Sequence, residues 1–571
     1  MTAAPRADDL IDAAARGWRA WVVLAFLTVA AALPGLFSIP PLDRDESRFA
    51  QATAQMLETG DFTHIRLQDE DRHKKPIGIY WLQAASVAAF SDVERRQIWA
   101  WRLPSTLGAV IAVWATFWGG MALVGRRAAF VGAALFGVSV LMSTEAMIAK
   151  TDAMLCAMTA LAMAALARVH MGAHGAVDGA VDGRRTMLVF WAALALGVLV
   201  KGPITPMVVG LSAGALCAWR RDVAWLRPLV SISGPALAVA LLAPWLYTLA
   251  ASQSSLTGIM RDIAPKIGGG GEHGARPPGL HLLLSPLLIF PASIGLAPGF
   301  AAGWKALRAP RDDETQSGAR FLVAWIVPTW LVFEFATTKL AHYTLPVYPA
   351  IALLAGAGLL HWLEAPTPAR RLRLAAGFFI GSIGIVAAAA MLIFWRSATE
   401  TYNGALITGG VLLAFSLLLS VIIARAARAA AATVTAVVSA LVLIVVTREG
   451  LAPRATHVLV SAAASLAAPL PYSVDAPPLL VVGFREPSIV FNIGTATMLH
   501  QGKQAGATAV SGQIVLVETR ERTAFEDGLS ARGLKFEPEG APVAGRNYSN
   551  GDDVVLQPGQ VIEGRVTAAR N

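Results

Sequence analysis

Long apolar runs recur along most of this chain and constrain its fold more than any other feature. Each run is close to twenty residues long, which is the length that an α-helix needs to cross the hydrocarbon core of a bilayer. We count about thirteen such runs, the first at 18–38 and the last at 429–447. The mean hydropathy of the 571 residues is +0.55, and only 15% of them are charged. The pattern predicts an all-α polytopic membrane protein.

The loops between these runs alternate in charge, which predicts a topology. One set of loops is rich in arginine, as at 126–127, 184–185 and 370–373. Short loops rich in Lys and Arg stay on the cytoplasmic side of the membrane. The alternation therefore predicts a cytoplasmic N-terminus and an outward-facing loop at 39–101. An odd number of runs places the part of the chain after residue 450 outside as well.

The remaining composition excludes several other classes of protein. The net charge of +9 is carried largely by the arginine-rich loops, so it indicates topology and not nucleic-acid binding. Cys156 and Cys217 lie far apart inside apolar runs, which favours neither a disulfide framework nor a metal site. The first run is long enough to span the bilayer and has no small-residue cleavage site before the acidic cluster that follows. We therefore expect no cleavable signal peptide.

The composition changes after the last apolar run. Leu479–Phe484 and Ile514–Glu518 are short apolar segments typical of buried strands, and Arg520–Arg532 has the pattern of a helix that ends at Gly533. These segments predict a soluble, periplasmic α/β domain at 451–571.

The outward loop 39–101 is longer than most connections and is charged without being of low complexity. It has apolar residues at helical spacing from Phe49 to Leu57, then a Gly60-Asp61 breaker, then a second amphipathic run from Pro76 to Phe90. We predict two short amphipathic helices at the membrane surface that hold a charged site. We assign this loop to a transmembrane domain at 1–450.

The outward loops collect most of the unusual polar groups of the chain. A charge at the membrane boundary is costly unless it is paired or hydrated, so such groups often mark functional sites. The alternative is that each group is an interfacial anchor or a topology determinant. The candidates are Asp45, Glu46, Arg48, Lys75, Lys150, Asp152, Lys201, His273, Arg276, Lys339, His342 and Tyr343.

The types of these residues indicate acid–base chemistry beside a phosphate. Asp45 and Glu46 together suit a general base or an electrostatic orienter, although one acid alone could be a helix cap. Lys75, Arg276 and Lys339 suit a phosphate or diphosphate group, because Arg binds phosphate in a bidentate fork and Lys acts as a point charge.

Several segments resemble one family of membrane enzymes. The first loop, DRDESRFAQATAQMLETGDF followed by HKKPIGIYWLQA, resembles the aminoarabinose transferase (ArnT) family and, more distantly, the protein O-mannosyltransferases. Further matches follow in order at 150–153, 201–203 and 273–277, and in KLAHYTLPVYP at 339–349. The resemblance covers about residues 18–365. It implies a C-type glycosyltransferase fold.

The resemblance also implies an activity and roles for particular residues. It implies a transferase that takes a sugar from a polyprenyl-phosphate carrier at the outer face of the bacterial inner membrane and passes it to lipid A or another envelope acceptor. Asp45 would be the key acid and Asp152 a second essential carboxylate. Lys75 and Arg276 would hold the carrier phosphate, with Tyr343 nearby. We assign Glu46 to catalysis too, and Arg48, Lys201, His273, Lys339 and His342 to substrate binding.

A metal ion is the least supported part of this prediction. His64, His73, His273 and His342 show no compact ligand spacing, so a metal site would have to be assembled across loops. Many family members have an acidic residue immediately before the Lys-Pro of the first loop, where this chain has Lys74. That departure argues against an inherited metal site and for a different sugar or acceptor. We expect no cofactor, with a divalent metal as the alternative.

Other functions remain open at this stage. A lipid-linked glycan transporter or flippase would have polar groups deep within its spans. A lipopolysaccharide ligase or polymerase, or an enzyme like the protein O-mannosyltransferases, would also work at the outer face. The concentration of polar groups at one face favours a surface enzyme whose partners are a polyprenyl-phosphate sugar, an envelope acceptor and membrane lipids. We expect no nucleic-acid partner.

Overall fold

The computed structural model describes residues 7–72, 75–172, 183–251, 276–364, 429–467 and 477–564, together with Val411, Ala414, Phe415 and Leu418. The helices are α1 (Ala7–Ala14), α2 (Gly17–Ala32), α3 (Asp45–Thr59), α4 (Gly78–Phe90), α5 (Ile98–Leu123), α6 (Arg126–Gly137), α7 (Val140–Ala146), α8 (Asp152–Gly172), α9 (Gly183–Lys201), α10 (Ile204–Arg220), α11 (Ser233–Ala251), α12 (Leu280–Leu288), α13 (Leu296–Arg308), α14 (Ser317–Phe335), α15 (Tyr348–Glu364), α16 (Ala429–Val458), α17 (Val460–Ala467), α18 (Pro487–Ile493), α19 (Gly502–Thr508) and α20 (Arg522–Ser530). The strands are β1 (Arg66–Leu67), β2 (Glu70–Asp71), β3 (Leu480–Val482), β4 (Met498–His500), β5 (Ile514–Glu518), β6 (Leu534–Pro538), β7 (Val543–Arg546) and β8 (Asp553–Glu563).

Two compact units divide the chain, and each is described by itself. The first unit contains Met1–Leu36, His73–Leu82 and Arg102–Arg448, and the second contains Phe37–Arg72, Gln83–Trp101 and Glu449–Asn571. Most of the outward loop thus groups with the C-terminal part of the chain. The division at residue 450 that the sequence suggests stays a prediction.

The first unit is built from apolar helices, as the hydropathy pattern predicts. Within the described ranges, six helices are long and apolar enough to cross a membrane, and up to eight spans result if two bent helix pairs each count as one. The bent pairs are α6 with α7, at 60°, and α12 with Ala292–Arg308, at 111°. The prediction of an all-α membrane protein is confirmed. The count of thirteen stays a prediction, since two of its spans, at 374–395 and 404–424, lie largely outside the described residues.

Glycines let the helices of the first unit approach closely around α8. A Cβ on Gly108 of α5 would lie 2.8 Å from the backbone N and Cα of Met154, and one on Gly119 would lie 2.8 Å from the Cα of Ala164. These contacts fix α5 against α8 over much of its length. Packing of small residues is the usual way in which membrane helices associate, because lipid tails provide no hydrophobic driving force between them.

The two helices predicted for the outward loop are present as α3, in the second unit, and α4, which the boundary between the units divides after Leu82. Helix α3 is amphipathic as predicted, but α4 is apolar along most of its length. Helix α3 ends at Gly60, which has a φ of 72° and caps the helix in the left-handed conformation. Asp61 follows, and its carboxylate accepts hydrogen bonds from the backbone N–H groups of Thr63 and His64. Although partial burial tends to raise the pKa of Asp61, these bonds outweigh it and hold that pKa below its usual value.

The C-terminal part of the second unit is a layered α/β fold. Its sheet has the order β4-β3-β5-β8-β6, with β7 also paired to β8. Strand β3 runs parallel to β4 and β5, whereas β8 is antiparallel to β5 and β6. Alternate residues of the central strands pack on opposite faces of the sheet, as the period of a β-strand requires. The strands predicted at 479–484 and 514–518 and the helix predicted at 520–532 are confirmed.

Buried polar groups join the outward loop to the C-terminal residues of the same unit. The carboxylate of Asp43 is buried and accepts hydrogen bonds from the Ser461 and Ser488 hydroxyls and, at 2.8 Å, from the Tyr548 backbone N–H. Arg96 forms an ion pair with Glu58. A buried carboxylate with three donors is stable only where all of them stay in place, so these bonds fix the entry of the chain into α3.

Candidate functional site

The site in the first unit forms where helix α8 begins. Helix α6 stops at Gly137, and α7 restarts at Val140 behind Ser139, whose hydroxyl accepts a hydrogen bond from the Met142 backbone N–H at 3.4 Å. Helix α7 in turn ends at Ala146, and a short turn leads to α8. The two breaks place the polar residues of this segment next to the N-terminus of α8. An acid there, Asp152, is favoured by the helix dipole.

The core of the site is a chain of alternating charges. Lys201, at the end of α9, places its Nζ 2.5 Å from Asp152 Oδ1. Lys150 Nζ lies 3.9 Å from Asp152 Oδ2 and 2.9 Å from Glu145 Oε2. The side chains of Glu145 and Asp152 are only 4% and 5% exposed. Charges this deeply buried are costly to desolvate, and they persist because each has a partner of opposite sign.

His342 completes the cluster from a different part of the chain. It belongs to the 3₁₀ helix Ala341–Val347, which precedes α15. Its Nδ1 lies 3.3 Å from Lys150 Nζ and 3.7 Å from Glu145 Oε1, and its Nε2 lies 3.7 Å from Asp152 Oδ1. The ring packs edge-to-face on Tyr343, with 5.4 Å between the centroids. The structure thus brings together five of the predicted residues, which are Lys150, Asp152, Lys201, His342 and Tyr343.

A second group of contacts in the first unit holds Arg276. The backbone N–H of Arg276 donates to the Thr337 carbonyl at 3.1 Å. The ammonium of Lys339, which is 2% exposed, donates to the carbonyls of Arg276 at 2.8 Å and Ala336 at 2.6 Å. The Arg276 side chain itself is exposed. Lys339 therefore anchors the backbone at Arg276, and the substrate-binding role assigned to it stays a prediction.

A buried His–Glu pair fixes the start of α12 a few residues farther on. Glu334 Oε1 accepts a hydrogen bond from the Gly279 backbone N–H at 2.5 Å, and its Oε2 lies 3.5 Å from His281 Nδ1. The other ring nitrogen of His281 donates to the Leu340 carbonyl at 3.0 Å. The segment that carries Arg276 is thereby tied at both ends to residues 334–340.

Three of the four predicted residues of the outward loop lie together in the second unit, at the N-terminus of α3. Asp45 is the first residue of the helix; its side chain is 52% exposed and lies 4.0 Å from Arg48 Nη1. Glu46 is buried, and its Oε2 accepts a hydrogen bond from the Leu42 backbone N–H at 2.9 Å. Arg44, just before the helix, has a φ of 70°, a strained conformation for a residue with a side chain. Of the two acids, Asp45 presents its carboxylate to solvent, whereas Glu46 caps the chain locally.

Two further predicted residues remain, Lys75 and His273. Lys75 is half-buried just before α4, in the first unit. His273 lies outside the described residues. No group of three or more His, Cys, Asp or Glu side chains in the described part of the chain is arranged to hold a metal ion. The expectation that no metal is used stays a prediction.

Glu145 is the residue of this site that reasoning from the sequence missed. It stands in the apolar run LMSTEAMIAK, five residues before Lys150. The signal was an acid inside an apolar run, which is rare unless the acid has a partner. The partner is recognisable only once the end of α7 is known.

Comparison with known proteins confirms the resemblance that the first loop suggested. A family model described as dolichyl-phosphate-mannose-protein mannosyltransferase matches residues 74–248. An undecaprenyl phosphate-alpha-4-amino-4-deoxy-L-arabinose arabinosyl transferase of Pseudomonas fluorescens is 25% identical over 353 residues, which are 58% of this chain and 55% of that protein. The enzyme of that name from Aeromonas salmonicida is 26% identical over 346 residues, or 58% and 59% of the two chains. This chain thus matches less than two thirds of the length of either relative.

Solved structures extend the likeness to nearly the whole chain. The crystal structure of ArnT from Cupriavidus metallidurans bound to undecaprenyl phosphate superposes with a TM-score of 0.72 and covers 94% of this chain and 98% of that one, at 18% identity. The apo form of the same protein gives a TM-score of 0.69. The predicted fold is confirmed: apolar membrane helices of the ArnT kind with a small C-terminal sheet region.

Proposed function

We propose that this chain is an integral-membrane glycosyltransferase that moves a sugar from a polyprenyl-phosphate donor to lipid A or another envelope acceptor. The observation that carries the proposal is the buried cluster of Asp152, Lys150, Lys201 and His342 at the start of α8, in a chain with the ArnT fold. The named activity of the arabinosyl transferase relatives supports the same reaction class.

The reaction is a substitution at the anomeric carbon of the sugar. An acceptor oxygen forms the new glycosidic bond while the bond to the carrier phosphate breaks, and the phosphate leaves with the electron pair. Lys75 and Arg276 balance the charge that develops on that phosphate. Because the leaving group becomes more negative as the bond breaks, cations beside it act most strongly in the transition state.

The acids act on the acceptor. If the acceptor is a hydroxyl, Asp45 takes its proton as the bond forms, which suits its solvent-facing carboxylate. If the acceptor is a phosphate of lipid A, no strong base is needed and Asp45 orients the attacking oxygen instead. Asp152 helps to position the substrates, and Lys201 and His342 keep its carboxylate in place. Glu46 and Arg48 support Asp45 at the start of α3.

The proposal includes a location. The chain would reside in the bacterial inner membrane with its N-terminus in the cytoplasm, and residues 451–571 would face the periplasm. The support for this is the alternation of arginine-rich loops.

A protein acceptor is the second candidate. The match of residues 74–248 to the dolichyl-phosphate-mannose-protein mannosyltransferase model favours it. In that case the attacking oxygen would be a Ser or Thr hydroxyl, and the base strength of Asp45 would matter more than for a phosphate acceptor.

Mass spectrometry of lipid A, envelope glycans and envelope proteins, from cells with and without the gene, tests the proposal and separates the acceptors. A mass difference of one sugar on lipid A supports the first candidate, and the same difference on a protein supports the second. Unchanged lipid A, glycans and proteins in cells that produce the protein would contradict both.

The absence of a metal requirement is part of the proposal. We expect transfer by purified enzyme in detergent to persist in excess EDTA, because the cations proposed to balance the phosphate are Lys and Arg side chains. A loss of turnover that added Mg²⁺ or Zn²⁺ restores would show that the expectation is wrong.

A further inference from the structure

Glu145 is the most buried acid of the α8 site, and the proposed reaction assigns it no role. It lies in the last turn of α7, and its Oε2 is 2.9 Å from Lys150 Nζ. The other oxygen is 3.7 Å from His342 Nδ1. The Glu145 carboxylate thus joins the cluster through Lys150 and His342.

Lys150 is placed between two carboxylates that compete for it. Its ammonium is 2.9 Å from Glu145 Oε2 but 3.9 Å from Asp152 Oδ2, so it forms a close ion pair with the first carboxylate and a longer one with the second. Asp152 Oδ1 already accepts a hydrogen bond from Lys201 Nζ at 2.5 Å. Within the described part of the chain, Asp152 Oδ2 makes no direct hydrogen bond.

We propose that Glu145 is a positioning residue that holds Lys150 back from Asp152, so that Asp152 Oδ2 stays open to a polar group of the substrate. The inference rests on the proposed glycosyl transfer and deepens it, because it names the oxygen through which Asp152 acts.

The physical reason is the competition between two attractive interactions in a medium of low polarity. Opposite charges attract more strongly at 2.9 Å than at 3.9 Å, and burial amplifies the difference. Without the negative charge on Glu145, the most favourable interaction left to the flexible Lys150 side chain is with Asp152. We expect its ammonium to move by about 1 Å and form a direct hydrogen bond with that carboxylate. Asp152 would then be bonded through both oxygens, with Lys201 on one and Lys150 on the other.

His342 limits where Lys150 can move. Its Nδ1 is 3.3 Å from Lys150 Nζ, and its Nε2 is 3.7 Å from Asp152 Oδ1. The ring therefore covers one side of the Lys150–Asp152 gap without closing it. A substrate hydroxyl that donates to Asp152 Oδ2 at 2.5–3.0 Å would therefore approach beside this gap, because 3.9 Å between Lys150 Nζ and Asp152 Oδ2 is too short to hold a third heavy atom in line.

Two variants of Glu145 test the inference by steady-state kinetics with undecaprenyl-phosphate sugar as donor. For Glu145→Gln we expect kcat at saturating donor to fall by about tenfold or more, while the KM for donor changes less than about twofold. For Glu145→Asp, which keeps the charge, we expect most of the turnover to return. A raised KM with intact kcat, or equal losses in both variants, would overturn the inference.

The double variant Glu145→Gln/Lys150→Gln makes the test specific. If Glu145 acts by restraining Lys150, removing the lysine's charge as well should restore turnover relative to Glu145→Gln alone, because nothing then closes on Asp152. If the double variant loses kcat by the product of the factors measured for Glu145→Gln and Lys150→Gln alone, the two residues act independently and the inference fails. Ser143→Ala is the matched control. It changes a buried polar residue of the same helix that faces Arg448 instead of the cluster, and we expect its kcat to equal that of the wild type.

A structural readout separates this inference from the proposed function. In an experimental structure of Glu145→Gln, we expect Lys150 Nζ within about 3.2 Å of Asp152 Oδ2. A distance that remains near 3.9 Å would refute the restraint whatever the enzyme transfers. Conversely, a wild-type protein that transfers no sugar would refute the proposed function. The distance between Lys150 and Asp152 would still test whether Glu145 restrains Lys150.

Discussion

At the residue scale, the surroundings of Asp45 and Asp152 differ, and so do the roles proposed for them. Asp152 is buried and bound to Lys201, which suits a group that must keep one position and one charge. Asp45 is half-exposed at the start of a helix, and the guanidinium of its neighbour Arg48 lies 4.0 Å from its carboxylate, too far for a hydrogen bond. An exposed carboxylate can accept a proton and return it to water, so Asp45 is the better proposed base.

We predict that Asp45→Asn lowers turnover by at least about a hundredfold, which is the smallest effect typical of losing a general base. We expect thermal stability to stay unchanged. The carboxylate is half-exposed, so its loss should leave the fold intact. Asp92→Asn is the matched control: Asp92 is 66% exposed and pairs with Arg95 three residues later, as Asp45 does with Arg48. Wild-type kcat in a well-folded Asp45→Asn enzyme would end its catalytic assignment.

We predict that Asp152→Asn also abolishes transfer, and that it lowers stability as well. The variant leaves the partly buried Lys201 ammonium without its negative partner, a change that costs up to about 3–5 kcal/mol where the charge is fully buried. Thermal unfolding in detergent should show the loss, and assays below the unfolding temperature should still find no turnover. Activity near the wild-type level under those conditions would mean that the Asp152 charge is structural only.

The cations proposed for the carrier phosphate make a kinetic prediction. Lys75→Ala and Arg276→Ala should depress turnover even at saturating donor, because the interaction strengthens as the leaving group gains charge. Arg276→Lys should be impaired too, since a point charge does not reproduce the planar fork of Arg. Arg95→Ala, at an exposed position, is the control. If both alanine variants keep wild-type kcat and only raise the KM, the two residues merely contact headgroups.

At the element scale, the start of α8 depends on the close packing of α5 against it. Gly108 faces the backbone of Ala153 and Met154, immediately after Asp152. The bend between α6 and α7 brings Glu145 to the same place. The carboxylates of the site are therefore positioned by a helix break and by a glycine contact.

We predict that Gly108→Ala reduces both stability and turnover. The added Cβ would lie 2.8 Å from the Met154 backbone, so α8 must shift at its first turn. Overpacking of this kind costs about 1–3 kcal/mol. The control is Gly210→Ala in α10, where no heavy atom lies within 4 Å and the higher helix propensity of Ala should leave the protein as stable or more so. Equal thermal stability and activity in the two variants would argue against this account of α8.

At the scale of the whole molecule, the chain leaves the outward loop, passes through the membrane helices and returns to the second unit after Arg448. Residues far apart in sequence therefore share one unit: Asp43 in the first loop accepts hydrogen bonds from Ser461, Ser488 and Tyr548. The outward loop is thus built together with the C-terminal sheet and not as an independent hairpin of the membrane region.

This organisation requires that the outward loop and the C-terminal residues are on one side of the membrane. We predict that reporter fusions after residues 170 and 460 give opposite locations, the first cytoplasmic and the second periplasmic, as the arginine-rich loops indicate. Both reporters active on the same side would contradict the topology and, with it, the proposed use of Asp45 at the outer face.

The sequence by itself determined the features that depend on local pattern. Apolar runs gave the membrane helices, helical spacing gave α3 and α4, and Gly60 marked the end of α3. Two buried strands of the C-terminal sheet, at 479–484 and 514–518, were recognisable as short apolar segments for the same reason. Hydropathy and periodicity are properties of a short window of residues, so tertiary structure is not needed to read them.

The tertiary structure alone decided which charges meet. Asp152, Lys201 and His342 were candidates from the sequence, but nothing local showed that they share one cluster or that Glu145 belongs to it. The ammonium of Lys339 donates to the carbonyls of Arg276 and Ala336, a pair of contacts that the sequence did not indicate. An ion pair depends on distance and burial, and both are set here by helix breaks and by the packing of helices that are remote in sequence.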